Sequence, residues 1–118
     1  MRKLINTNKA PKAIGTYSQG TIFNNLVFTS GQICINPQNG ELNNSTFKDE
    51  VRQVISNLNG VLTEAGSGLD KILKLTVYIT DLSLFSELNE VFLEVFPSNP
   101  PARSAVEVSA LPMNVSIE

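Results

Sequence analysis

The stretch TFKDEVRQVISNLNGVLTEA, residues 46–65, decides the architecture. Phe47, Val51, Val54, Ile55, Leu58, Val61, Leu62 and Ala65 recur at spacings of three and four, the period of a helix with one apolar face. Thr46 followed by Asp49 has the spacing of a capping box, and Gly66 can close the other end in a left-handed conformation. A glycine inside a helix costs about 1 kcal/mol relative to alanine, so Gly60 implies a close packing contact. The period then changes. Residues 72–79 alternate, with Leu73, Leu75, Val77 and Ile79 on one side and Lys74, Thr76 and Tyr78 on the other. Residues 83–96 return to helical spacing, carrying Leu84, Phe85, Leu88, Val91, Phe92, Val95 and Phe96 inward.

Outside this centre the chain reads as strands. Residues 3–7 suggest a short edge strand before Pro11, and residues 18–23 and 26–30 a hairpin about Asn24-Asn25, a pair that tolerates positive φ. Residues 36–40 form a turn cluster, residues 103–109 another strand, and residues 115–118 the start of a last one. The order β-β-β-α-β-α-β-β predicts one α+β domain over residues 1–118, a single sheet with both helices packed on one face. Its other face, bearing Lys74, Thr76 and Tyr78, is expected to be covered by another subunit in a closed homo-oligomer.

Composition narrows the chemistry. The chain has 118 residues, is 42% hydrophobic and carries a net charge of -2. That charge, without a basic block, argues against nucleic acid and anionic membranes as partners. The first residues have no apolar signal-peptide core, no run is long enough to span a membrane, and the single Cys34 permits no internal disulfide, so a cytoplasmic location is expected. There is no histidine. Serine–histidine and cysteine–histidine machinery and histidine metal sites are therefore excluded, and the single cysteine also excludes zinc ribbons and iron–sulfur clusters. Phosphate-cradling glycine motifs are missing too, so no nucleotide cofactor and no metal is expected. Cys34, with no base to activate it, reads as a buried small hydrophobe.

The stretch Asn99-Pro100-Pro101-Ala102-Arg103-Ser104 forces an extended approach to Arg103, because two prolines forbid helix. A guanidinium at a stiff strand entrance is pre-organised to hold a carboxylate by two parallel hydrogen bonds. A lone arginine ending a loop is the commoner alternative.

Four segments in order tip the balance. Residues 13–20, AIGTYSQG, are similar to the signature AIGPYSQ, with Thr16 where proline is usual, and residues 26–33 read LVFTSGQI. Residues 99–104 with Val106-Glu107-Val108 and Leu111-Pro112 match NPPARSxVEV…LP, and Glu118 falls on the glutamate of VEIEA. Over essentially its whole length the chain resembles the RidA (YjgF-like) reactive enamine/imine deaminase family. The resemblance implies a chorismate-mutase-like fold, a homotrimer around a central sheet barrel, and sites in the clefts between subunits. It implies cofactor-free hydrolysis of 2-imino acids, such as 2-iminopropanoate and 2-iminobutanoate, to 2-oxo acids and ammonia.

The resemblance assigns catalytic roles to Arg103, as carboxylate anchor, and Glu118, which positions the attacking water. It assigns substrate contacts to Tyr17, Ser30, Gly31, Asn89 and the amide of Ala105. Tyr17 could instead pack in the core, Gly31 could serve a bulge, and Asn89 could be a solvated helix residue. Phe85, Leu88 and Phe92 read as core, with Phe85 at the cleft rim. The family's last strand continues past the position of Glu118, so that strand is expected to be shortened. The alternative function is a non-catalytic binding or regulatory module for 2-oxo acids or other small carboxylates. The ribonuclease activity attributed to some relatives fits least, because this chain has no clustered lysine and arginine.

Overall fold

The structure, a computed structural model, describes residues 1–118. Its strands are β1 (Lys3–Ile5), β2 (Gly20–Phe23), β3 (Leu26–Thr29), β4 (Lys74–Ile79) and β5 (Ala102–Glu107); its helices are α1 (Phe47–Glu64) and α2 (Phe85–Val95). Thr46 caps α1, its hydroxyl accepting the Asp49 N–H at 3.1 Å, while the Asp49 carboxylate turns to Arg52 rather than completing a capping box. Gly66 ends the helix at φ 80°. A Cβ on Gly60 would lie 2.4 Å from the Lys9 carbonyl oxygen, so only glycine lets the N-terminal loop cross α1 there. Asn24 adopts φ 52° and sets the β2–β3 hairpin in the register Phe23↔Leu26.

Two boundaries differ from the sequence pattern. A single helical turn at Leu69–Lys71 delays β4 to Lys74, leaving Leu73 outside the strand and 75% exposed instead of inward. The Asp81 carboxylate accepts the Ser83 N–H at 2.9 Å and folds residues 82–84 into a separate turn, so α2 starts at Phe85.

The α+β class and both helices are as expected, but the single sheet is not. The strands form two hydrogen-bonded groups, antiparallel β1-β2-β3 and parallel β4-β5. The C-terminal segment pairs only with β4: Tyr78 and Glu118 exchange both backbone bonds at 2.9 Å, and the Thr80 N–H donates to the Ser116 carbonyl at 3.0 Å. It makes no backbone bond to β3. Beyond β3 the chain meets α1, where the fully buried Asn57 amide donates to the carbonyls of Ile33 (3.0 Å) and Ile35 (2.9 Å). The chain beyond β3 is thereby tied to the helix.

Helix α1 bridges the two groups. Val51, Val54 and Ile55 pack with Cys34, Val77, Leu88, Val91, Val115 and Ile117, while Val61 packs with Ile5 and Ala10. Each fully buried aliphatic side chain contributes about 1.5–3 kcal/mol. Helix α2 is aligned on α1 by ion pairs Lys48–Glu90 and Arg52–Glu94. The face away from the helices is open and mixed, with Leu4 and Phe28 each 63% exposed and Tyr78 paired with Val106 beside the polar Lys74 and Thr76. No helix is long and apolar enough to cross a membrane.

Candidate active site

Arg103 lies on β5, which has β4 as its only neighbour and so forms a sheet edge. Its side chain points to the α2 face, where Phe85, Asn89 and Phe92 occupy successive turns. The guanidinium donates to Asn89 Oδ1 at 2.8 Å and stands 5.0 Å from the Phe85 ring centre and 5.2 Å from that of Phe92. Two aromatic faces hold the plane of the fork without neutralising it. Arg103 has no acidic partner, so most of its donors face a groove of about 440 Å³ formed with Leu75, Phe96 and Pro100. Along the same edge, the N–H groups of Ala102 and Val108 donate to β4. Alternation therefore turns the N–H of Ala105 outward, free to bind.

A second cavity, of about 570 Å³, brings together Tyr17, Ser30, Gly31 and Glu118. Tyr17 is 52% exposed and not a core residue; its hydroxyl accepts the Ile14 N–H at 3.1 Å, closing a loop whose Gly15 takes φ 119°. Ser30 donates its hydroxyl to the Ser18 carbonyl, so its side chain chiefly holds the loop. A Cβ built on Gly31 would sit 3.0 Å from Glu118 Oε2; the glycine makes room for that carboxylate.

The two groups do not meet within one chain. Ile117 is buried in the core, so alternation sends Glu118 to the opposite face from Arg103. Glu118 is paired with Tyr78 and Arg103 with Leu75, on opposite sides of β4. At ~3.3 Å per residue and ~4.8 Å per strand their backbones are about 14 Å apart.

A family model described as Endoribonuclease L-PSP matches residues 7–118. The chain is 46% identical to a RutC family protein of Pyrococcus abyssi over 99% of this chain and 92% of that protein. It is 38% identical to Reactive Intermediate Deaminase A, chloroplastic, of Arabidopsis thaliana over 99% of this chain and 63% of the relative. The chain belongs to the RidA (YjgF) family. The crystal structure of Escherichia coli TdcF with bound serine superposes on it with a TM-score of 0.91 at 41% identity, covering 98% of this chain and 92% of that one.

The segments that carry the RidA likeness line both cavities, residues 13–20 and 26–33 the one with Glu118 and residues 99–108 the arginine groove. Two contributors escaped sequence reasoning. Phe92 flanks Arg103 instead of serving only the core; the spacing of Phe85, Asn89 and Phe92 was the available signal. Buried Gln19 donates to the carbonyls of Thr7, Ala10 and Pro11 and accepts the Thr7 N–H, fixing the loop that leads to Tyr17. Only its neighbourhood in the motif hinted at this.

Proposed function

We propose that this chain hydrolyses 2-imino acids to 2-oxo acids and ammonia, at sites completed between the subunits of a homotrimer. The observation that carries this reading is an arginine fork held between two aromatic rings at an open strand edge, with no acid to neutralise it. Such a fork takes a carboxylate by two charge-assisted bonds. Relatives named reactive intermediate deaminase, and a relative that binds the small carboxylate serine, support it.

Arg103, with the Ala105 amide, orients the substrate carboxylate and so fixes the imine carbon beside it. Glu118 of the adjoining subunit holds a water by accepting one of its protons. The water oxygen adds to the imine carbon, the C=N electron pair moves to nitrogen, and Glu118 takes the proton. Glu118 returns that proton to the nitrogen, giving the neutral carbinolamine, which then collapses: the C–N bond breaks, Glu118 takes the hydroxyl proton as the oxygen forms the new carbonyl, and it passes that proton to the departing nitrogen, which leaves as ammonia.

A pyridoxal-phosphate threonine or serine dehydratase supplies the imine, and semicarbazide traps what is not hydrolysed. The chain should speed release of the oxo acid and reduce trapped imine; equal trapping with and without it overturns the proposal. Gly31→Ala provides a sharper check on Glu118. The new Cβ would crowd the carboxylate at 3.0 Å, so kcat should fall roughly tenfold or more with an unchanged circular dichroism spectrum. Wild-type kcat in a folded Gly31→Ala protein would show that the position of Glu118 is irrelevant.

A further inference from the structure

Glu50 lies in the first turn of α1, is 6% exposed, and belongs to none of the cavities described above. A buried carboxylate is disfavoured unless hydrogen bonds satisfy it. Its Oε1 accepts the backbone N–H of Ser116 at 2.9 Å, and the Cys34 thiol lies 3.8 Å away. Burial, and then the charge of Glu50, push that thiol up to about 11, so Cys34 remains an S–H donor at neutral pH.

The bond to Ser116 changes the end of the sheet. In a regular antiparallel register, residues 80 and 116 would exchange two backbone bonds. Only the Thr80 N–H→Ser116 bond forms; the Ser116 N–H is taken by Glu50 instead. The last residues are thus pinned at two points, by α1 at Ser116 and by β4 at Glu118. Ser116 precedes Glu118 by two residues and shares its face of the strand.

We propose that Glu50 is a positioning residue for Glu118, building on the water-holding role of Glu118 proposed above. A carboxylate anchored in the helix sets where the terminal strand leaves the core, and hence where the Glu118 carboxylate stands against Gly31. An apolar side chain would fill the same space but let Ser116 return to a plain ladder with Thr80. A charge-assisted acceptor holds the strand end more firmly than that neutral bond.

The test is a double-mutant cycle in the imine assay, using Glu50→Met, Glu50→Gln, Glu118→Gln and the Met/Gln double variant. Glu50→Met should lower kcat roughly ten- to hundredfold with KM nearly unchanged. Glu50→Gln keeps an acceptor oxygen and should recover activity to within about threefold of wild type. In the Glu118→Gln background, adding Glu50→Met should cost no more than about threefold further. Equal losses in both backgrounds, or a fully active Glu50→Met, overturn the proposal. A fully active Glu118→Gln overturns it by another route, since the single variant then shows that Glu118 itself is not the group being positioned. Should Glu50→Met fail to fold, Glu50→Asp retains the charge but stops about 1.5 Å short of Ser116 and carries the same expectations.

Discussion

Arg103→Ala is expected to lower kcat/KM for imine hydrolysis by roughly 30- to 5,000-fold while leaving the protein folded. Losing one partner of a desolvated, hydrogen-bonded charge pair costs about 2–5 kcal/mol, and each 1.36 kcal/mol is a factor of ten. The structural cost is smaller. The side chain gives up one bond to Asn89 and its stacking on Phe85 and Phe92, contacts at the rim of the fold and not in its core. A loss near 1 kcal/mol corresponds to a fall in Tm of about 4 °C for a domain of this size. Arg103→Lys separates charge from geometry. Lysine keeps the positive charge but offers a single point of contact, so the imine carbon is no longer held in one orientation. Its kcat should remain at least tenfold below wild type. Steady-state kinetics beside thermal melts decide the matter, and a folded Arg103→Ala protein with wild-type kcat/KM would remove arginine from the mechanism.

Periodicity carried most of the fold. The apolar stripe from Phe47 to Leu62 and the alternation along β4 are local patterns, and both elements stand close to where those patterns end. The errors came from a turn and a side-chain bond that those patterns do not contain. Leu73 obeys the strand alternation, but the turn at residues 69–71 leaves it in solvent. Asn57, one polar residue within an apolar stripe, ties down the chain beyond β3 by reaching the carbonyls of Ile33 and Ile35 across more than twenty residues of sequence. No pattern in the sequence announces such a bond. The candidate site divides in the same way. Arg103 stood out through its proline-stiffened approach, and the family likeness supplied Glu118, Tyr17 and Gly31. That Arg103 and Glu118 face opposite sides of the chain could be seen only once Ile117 was placed in the core.

That opposition has a direct consequence for mixed oligomers. Arg103→Ala and Glu118→Gln should each keep only a small residual activity alone, yet co-assembling them should restore a much larger one. If every site takes its arginine from one subunit and its glutamate from the next, random mixing of equal amounts leaves about one site in four with both wild-type groups. A preparation refolded or co-expressed at equal ratio should therefore regain roughly a quarter of wild-type kcat per site, with KM near wild type, because the rescued sites are chemically intact. The exposed face carrying Leu4, Phe28, Tyr78 and Val106 is the surface on which such an assembly would close. Differently tagged copies recovered together would establish that mixing occurred. Mixed oligomers no more active than either parent would mean that the two groups are not brought to one site from different subunits. The 14 Å separation within one chain would then have to be closed by movement of the C-terminal segment, which its backbone bonds to Tyr78 and its tie to Glu50 oppose. Recovery in the mixture thus measures in one experiment whether the arginine groove and the glutamate cavity are two halves of the same site.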